Sequence, residues 1–465
     1  MKKIFFLCFL ISTLGSVSAQ TIVNRFPIEL KKSSDYFQIF NAENDQKEYF
    51  AFIADKEKIT VLKYNSFLFL KDSISVARPN RNLDFMVGVT FTTNGNPNLY
   101  WASKDYEMVK MILFDFKTRT TSDLDYEINF TKSKIIDSFV AKNTLNVVSL
   151  TSENTLKITH FSNTGQSEHL LTFAPEQASA SKSDAELLAN AILDKGISIV
   201  QTHQFNPLYV GTSKVKRYLQ DGKYILSYDS EFSTTLLTID ISDFSSRKEL
   251  YPYEKLDKTS GSNSFLHNGI LYQFTANSES VSLMGIDLKT KNSVGKYQTS
   301  SKQEIDFKNS PLLLQSDRGK AKEFKNTAKF LSKLDFENLG LSVYSTPNYN
   351  LFTIGGIREV ASGGGLALAI GMGIGGVMSG GDVVFAPDLM NNNLQSIYFE
   401  SFFDTDFKHL NAPSRPLYVD ALGDFLNTNR LTAQHIFPYP NYVILNYYDP
   451  KTKEFVMRKF EDVTE

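Results

Sequence analysis

The sequence contains one cysteine, Cys8, which lies within an apolar run near the start of the chain. No small-residue lipobox precedes it, which argues against attachment of a lipid at this position. If the segment that contains Cys8 is removed on export, the mature chain has no thiol. Disulfide bonds, cysteine-ligated zinc and cysteine nucleophiles would then all be excluded.

Long apolar runs and an excess of basic charge are also missing. After Ala19, no stretch reaches the roughly 18 continuous apolar residues that a membrane-spanning helix needs. The chain has 49 basic and 51 acidic residues, so we expect no nucleic-acid partner. The six histidines do not show the H-x-x-x-H or H-E-x-x-H spacing of a zinc site. We therefore expect neither a metal nor a cofactor.

Residues 1–19 have the form of a secretory signal peptide. Lys2 and Lys3 are followed by an apolar run to Val17, and Val17-Ser18-Ala19 has the small-x-small pattern of a cleavage site. The apolar run is short for a membrane span. We expect residues 1–19 to be cleaved and residues 20–465 to be exported, to a periplasm, to the cell surface or into the medium.

Aromatic and β-branched residues are abundant and favour an all-β fold. The chain contains 37 Phe and 22 Tyr but one Trp. The stretch Asn263–Ser300 shows the pattern most clearly, because polar turns such as Asn268-Gly269 separate short apolar runs. Its four predicted strands are Ser264–His267, Ile270–Phe274, Val281–Leu288 and Ser293–Gln298.

The turn that follows the third of these strands recurs along the chain. Related turns fall near residues 65, 116, 163, 242, 288, 405 and 451, mostly about 47 residues apart, which is the period of a four-stranded propeller blade. The last unit supplies only three strands, whereas Thr21–Leu30 is a strand left over at the start. We therefore predict that the N-terminal strand completes the last blade, which would hide two edge strands.

On these turns and strands, the chain resembles the β-propeller superfold over essentially all of residues 20–465. The resemblance is to the architecture, because the sequence has no Trp-Asp dipeptide and no kelch glycine pair, and no specific propeller family is implied. It implies a single propeller of seven four-stranded blades, with six or eight blades as alternatives. An irregular β-sandwich or two smaller β domains is the alternative fold.

Four segments depart from the repeat, and we predict insertions at residues 174–196, 320–334, 361–381 and 419–427. Helices are predicted in three of them. The first has a capping box at Ser183 and Glu186, a stripe of Leu187, Leu188, Ala191 and Ile192, and a stop at Gly196. Strands of a blade alternate in direction, so all four insertions are predicted on one face. That face is the candidate functional surface.

The insertion at 361–381 is rich in glycine. Gly371–Gly376 matches the dinucleotide fingerprint, but no βαβ unit surrounds it, so we do not expect nucleotide binding. The uncharged stretch Leu366–Met378 is predicted to fold against the sixth blade or line the central channel, or to enter a lipid interface or a partner's groove. The predicted contact residues are Leu366, Ile370, Met372, Ile374, Val377, Met378, Lys325 and Lys329, of which the two lysines would suit anionic lipid.

Two carboxylate clusters stand out, Asp123 with Asp125 and Glu400 with Asp404 and Asp406. Glycan enzymes use pairs of acids, but aspartates in turns commonly bond the backbone. We therefore interpret these carboxylates as turn residues. Together with the fold, this interpretation predicts an exported, non-enzymatic binding or scaffolding module with a protein or glycan partner. The alternatives are a glycan hydrolase or lyase that uses carboxylates near the channel, and peripheral membrane association through the glycine-rich loop.

Overall fold

The computed structural model describes residues 20–31, 36–128, 133–171, 184–254, 256, 261–316, 321–334, 338–359, 394–429 and 431–462. Residues 1–19 and the insertion at 361–381 lie outside these ranges. The described strands form seven sheets, five with four strands and two with five. This is the seven-bladed propeller that the sequence predicts.

The first strand, β1 (Gln20–Pro27), is followed by the strands of blades one to three: β2 (Gln38–Glu43), β3 (Tyr49–Ala54), β4 (Lys58–Tyr64), β5 (Leu70–Ala77), β6 (Phe85–Phe91), β7 (Pro97–Ala102), β8 (Met108–Asp115), β9 (Thr120–Glu127), β10 (Ser133–Ala141), β11 (Thr144–Thr151), β12 (Leu156–Ser162) and β13 (Gly165–Leu171). Blades four and five contain β14 (Ser198–Val200), β15 (Val215–Gln220), β16 (Lys223–Asp229), β17 (Ser233–Asp240), β18 (Ser246–Pro252), β19 (Gly261–His267), β20 (Ile270–Ala276), β21 (Ser280–Asp287) and β22 (Ser293–Ser300). Blades six and seven contain β23 (Leu313–Ser316), β24 (Lys322–Glu323), β25 (Asn338–Ser345), β26 (Asn350–Glu359), β27 (Leu394–Phe403), β28 (Gln434–Tyr439), β29 (Tyr442–Asp449) and β30 (Glu454–Glu461). Four helices are described, α1 (Asp184–Lys195), α2 (Leu208–Gly211), α3 (Thr327–Leu334) and α4 (Tyr418–Thr428).

The innermost strands of neighbouring blades contact each other around the centre of the ring, as β2 does with both β6 and β28. We call the end at which the innermost strands begin the upper end of the propeller, and the end at which they finish the lower end. Strands alternate in direction, so the connections between second and third strands lie at the upper end, and in blades one to five the outermost strand also ends there.

The core consists of hydrophobic clusters between neighbouring blades. Strand β3 is buried along its whole length, because Phe50 and Phe52 pack toward blade two and Tyr49 packs toward blade seven. The rings of Tyr49 and Phe437 lie 5.1 Å apart, centroid to centroid, and join the first blade to the last. A sheet that is covered on both faces explains why the strand reads as an unbroken apolar run.

Strand β1 is the outer strand of blade seven, as predicted from the leftover N-terminal segment. It pairs antiparallel with β30, from Gln20 opposite Phe460 to Pro27 opposite Glu454. Ile28 follows β1 and is buried in the cluster between blades seven and one. The two ends of the described chain therefore meet in one sheet.

The repeat in blades six and seven differs from the predicted one. The turn near residue 451 joins the second and third strands of blade seven, β29 and β30, whereas we predicted a turn after a third strand. The turn comes one strand earlier than in the other blades because β1, and not a strand after β30, is the fourth strand of blade seven. In blade six the fourth strand from the centre, β23, pairs with β27 although it precedes the innermost strand in the chain.

Three of the predicted insertions contain the helices α1, α3 and α4. Helix α1 follows the upper end of β13 and stops at Gly196, whose φ is +75°. Helix α3 precedes the upper end of β25. Helix α4 begins at the lower end, where the Tyr418 amide donates to Asp462 at 2.7 Å. The prediction of one common face is therefore wrong for α4, because no outer strand follows β27 and the helix returns the chain from the lower end along blade seven.

Candidate functional site

Residues 198–212 occupy the centre of the ring. Strand β14 runs parallel to β15, from Ser198 opposite Lys216 to Val200 opposite Tyr218, so it descends from the upper end. The hydroxyl of Thr202 donates to the Leu219 carbonyl at 2.9 Å. At the lower end, the amide of Phe205 donates to the Tyr418 hydroxyl at 3.2 Å.

The chain then climbs again through α2, which lies beside β25. Gly211 and Gly340 allow the two backbones to touch, because a β-carbon on Gly340 would lie 2.6 Å from the Thr212 nitrogen. The Asn263 side chain donates to the Thr212 carbonyl at 3.1 Å. A short strand going down and a helical turn coming up thus fill space that an open channel would leave to a ligand. This segment has no periodic pattern in the sequence.

Two buried carboxylates near the channel are paired with cations. Lys216 binds Asp229 at 2.7 Å, and neither side chain is exposed; Arg217 binds Asp137 at 2.9 Å. Burial opposes ionisation of Asp229, but the charge of Lys216 and the hydrogen bonds that it receives outweigh burial and lower its pKa. Lys216 and Arg217 therefore neutralise the charges of Asp229 and Asp137, an environment that does not suit the acid pair of the hydrolase alternative.

Large apolar side chains are exposed at both ends. At the lower end, Phe67 and Phe69, in the turn between β4 and β5, are 77% and 67% exposed. At the upper end, Phe232, in the turn between β16 and β17, is 74% exposed, and Leu187 and Leu193 on α1 are 38% and 43% exposed. We predicted Leu187 in the buried stripe of α1, but the buried face is formed by Leu188, Ala189 and Ile192. Exposed apolar side chains of this size are typical of contact surfaces.

The predicted contact lysines, Lys325 and Lys329, are both exposed. Lys329 is on α3, which is anchored by the buried side chains of Phe330, Leu331 and Leu334. The other predicted contact residues, Leu366, Ile370, Met372, Ile374, Val377 and Met378, lie outside the described residues. They come in the chain between β26 and β27, a second and a third strand as predicted, and these two strands end and begin at the upper end.

Glu400, on β27, is the carboxylate with the most unusual environment among those the sequence singled out. Burial raises its pKa, and the nearby charge of Asp420 raises it further. Burial likewise raises the pKa of Asp462, which accepts a hydrogen bond from Tyr344 at 3.1 Å. Asp420 and Asp462 were missed in the sequence because they come from α4 and the end of β30, far from Glu400 in the chain.

Three of the other predicted carboxylates, Asp123, Asp125 and Asp404, have structural partners. Asp123 and Asp125 both accept hydrogen bonds from Lys110, at 2.5 and 2.9 Å. Asp404 bonds backbone amides of its own turn. In the described part of the chain, no three His, Cys, Asp or Glu side chains are grouped to hold a metal. No helix among the described residues is long and apolar enough to span a membrane.

No family model matches the sequence, and no curated protein matches it. Among solved structures, the chain is similar to the uncharacterized protein lmo1340 from Listeria monocytogenes, with 9% identity over 92% of this chain and 97% of that one and a TM-score of 0.32. The Dos1 propeller is 11% identical over 96% of both chains, with a TM-score of 0.32. The SapL1 lectin in complex with alpha methyl fucoside is 10% identical over 70% of this chain and 89% of that one, with a TM-score of 0.23.

Proposed function

We propose that this protein is an exported, non-enzymatic binding module that holds a protein partner on the upper end of the propeller. The observation that carries the proposal is the asymmetry between the two ends. In blades one to five, the outermost strands end at the upper end, and the hairpins at the lower end are short turns such as Asn268-Gly269. Longer segments reach the lower end at residues 201–207, 301–312 and 404–417. Long loops on a rigid scaffold are the usual site of recognition.

Two further features favour binding over catalysis. Residues 198–212 occupy the channel, where a propeller enzyme of the predicted kind would hold its substrate. The upper end also offers Phe232, Leu187 and Leu193, and exposed apolar side chains suit a protein surface better than a glycan alone. The export signal at residues 1–19 would bring this surface into contact with extracytoplasmic partners.

Photo-crosslinking in the cells that make the protein tests this function. A photoreactive phenylalanine analogue replaces Phe232 or Leu193 at the upper end, and Asn163 or Lys289 in turns at the lower end provides the matched control. We expect protein adducts from the upper positions only, in the exported fraction. Adducts from the lower positions alone, or a protein retained in the cytoplasm, would overturn the proposal. Adducts with lipid alone would support the membrane alternative instead.

The hydrolase or lyase alternative is favoured by the burial of Glu400, which raises its pKa in the direction that a general acid requires. Release of reducing ends from cell-wall and storage polysaccharides tests it. Activity of the wild type that is lost in Glu400→Gln would support this alternative. An inactive wild type, or equal activity of the two proteins, would reject Glu400 as the acid.

A further inference from the structure

Lys216, Asp229 and Asn263 form a buried cluster between blades four and five. The Nζ of Lys216 lies 2.7 Å from Oδ2 of Asp229 and 2.6 Å from Oδ1 of Asn263. Lys216 and Asn263 have no exposed surface, and Asp229 is 2% exposed. An amine, a carboxylate and a carboxamide are therefore in contact where water does not compete.

We propose that Lys216 and Asn263 join in an isopeptide bond, which links β15 of blade four covalently to β19 of blade five. The amide would form between Nζ of Lys216 and Cγ of Asn263. Because the chain has no cysteine after Cys8, it cannot brace its blades with disulfides. An internal amide would provide a cross-link that no reductant breaks.

The step balances without any other reactant. Lys216 first passes a proton from Nζ to Oδ2 of Asp229, and the neutral amine attacks Cγ of Asn263. The bond from Cγ to Nδ2 then breaks, and Nδ2 leaves as ammonia after it takes up a proton. When Asp229 has returned its proton, the products are one amide and one ammonium ion. Asp229 thus acts first as a base and then as an acid.

Neighbouring groups are placed to favour this step. The amide of Ser264 donates to Oδ1 of Asn263 at 2.7 Å, where negative charge develops as the amine attacks. Nδ2 of Asn263 donates to the Leu339 carbonyl at 2.7 Å, which holds the carboxamide in place. Burial lowers the pKa of Lys216 and so favours the neutral amine. The charge of Asp229 opposes this shift, and the charge of Lys216 lowers the pKa of Asp229 in turn. Nζ of Lys216 contacts the carboxamide through Oδ1, so the two reacting groups already lie within one hydrogen bond of each other.

Asp229 is also held firmly. Its Oδ1 accepts hydrogen bonds from Thr234 at 2.9 Å, Tyr253 at 2.5 Å and Ser264 at 2.7 Å. These donors fix the carboxylate so that Oδ2 faces Lys216. An ordinary buried ion pair between Lys216 and Asp229 would make the same contacts. The ion pair leaves the mass of the protein unchanged, whereas the isopeptide bond lowers it by one ammonia.

Mass spectrometry of the folded, purified protein decides between them. The chain is expressed from Thr21 behind an initiator methionine, because an N-terminal Gln20 loses ammonia by itself when it cyclises. We expect an intact mass one ammonia below that of the sequence, and a branched peptide that joins Lys216 to Asn263 after digestion. The full sequence mass would overturn the proposal. A loss of water, with Lys216 joined to Asp229, would overturn it too.

Variants at Lys216, Asp229 and Asp137 test which residues the bond requires. Asp229→Asn and Lys216→Met should both restore the full mass, and Asp137→Asn, which disrupts the other buried ion pair, should keep the loss of ammonia. Arg217, the partner of Asp137, carries a guanidinium that stays protonated and does not form the amide. A retained loss of ammonia in Lys216→Met would contradict the assignment. If a variant does not fold, the branched peptide of the wild type still decides the matter.

Discussion

Neither Gly211 nor Gly340 has room for a β-carbon, because the backbones of α2 and β25 touch at these two residues. A β-carbon on Gly340 would lie 2.6 Å from the Thr212 nitrogen and 2.7 Å from the Gly211 carbonyl carbon. The contact fixes the segment in the channel to blade six. Backbone, unlike a flexible side chain, has little freedom to move away.

Gly340→Ala should therefore destabilise the protein. Forcing an extra methyl group into a packed site usually costs about 1–3 kcal/mol, and urea denaturation followed by circular dichroism measures it. Gly423→Ala is the matched control. Gly423 lies within α4 and has nothing within 4 Å of its β-carbon position, so alanine there should raise stability by up to about 1 kcal/mol. Equal effects of the two substitutions would contradict the close packing of α2 on β25.

Asn41 is buried, at 4% exposure, in the seam between blades one and seven. Neither Oδ1 nor Nδ2 of Asn41 has a hydrogen-bond partner among the described residues. A buried polar group without a partner lowers stability. We therefore expect Asn41→Leu to raise the free energy of unfolding, by about 1 kcal/mol.

Asn446, in the same seam, supplies the control for Asn41→Leu. Its Oδ1 has no partner among the described residues, but its Nδ2 donates to the carbonyls of Ile444, at 3.1 Å, and His435, at 3.3 Å. Asn446→Leu removes these two bonds and should therefore lower stability. Thermal unfolding of the two variants side by side gives the comparison. If Asn41→Leu also destabilises the fold, a bound water satisfies Asn41 and the prediction is wrong.

Glu400 should make stability depend on pH. Its pKa in the folded protein is raised above the ordinary value of 4.5 by burial and by Asp420. As the pH rises above the pKa of Glu400 in the unfolded chain, the unfolded state loses this proton more readily than the folded state does. The free energy of unfolding therefore falls toward neutral pH. Glu400→Gln removes this loss. The variant should gain stability over the wild type at pH 7 and much less of it at pH 4.

Glu304 is the control for the pH experiment, because its pKa is shifted in the opposite direction. A hydrogen bond from Lys308 and the charge of that lysine lower the pKa of Glu304. Glu304→Gln should therefore give no gain at pH 7. Denaturant midpoints of both variants at several pH values provide the measurement. A gain for Glu400→Gln that is the same at every pH would show that packing, not ionisation, is responsible.

The sequence predicted the blades well because each strand carries its own pattern. In Asn263–Ser300, the four predicted strands agree with β19 to β22, since apolar runs and turn residues are local signals. The position of the turn near residue 451 within the last blade was predicted wrongly, because a local signal does not show which two strands a turn joins. Asp287 and Asp449 each accept a hydrogen bond from the amide two residues on, both at 2.9 Å. Identical turn chemistry thus serves two different positions in a blade.

Long-range features could not be predicted in this way. Lys216, Asp229 and Asn263 come from three strands, and nothing in their spacing shows that they meet. The segment at 198–212 has no repeated pattern, and its place in the channel depends on close backbone contact at Gly211. Helix α4 was predicted correctly, but its route from the lower end followed from the unexpected origin of β23, which no local pattern reveals.

Strand β1 provides the last prediction, because the N-terminal strand is bound in blade seven by pairing along its whole length. A chain that begins at Lys31 would leave β30 as an exposed edge and remove the buried side chains of Ile28 and Leu30. Such an edge pairs readily with other chains. We expect the truncated protein to unfold at lower denaturant concentration and to aggregate, as measured by light scattering.

A synthetic peptide of residues 20–30 should restore the stability of the truncated chain, since the missing strand docks between fixed neighbours. The control peptide has Val23 and Phe26, which pack against the seam between blades seven and one, replaced by serine. Rescue by the native peptide but not by the control would show that β1 acts through register and packing. A truncated chain as stable as the intact one would mean that pairing of β1 with β30 does not hold the ring together.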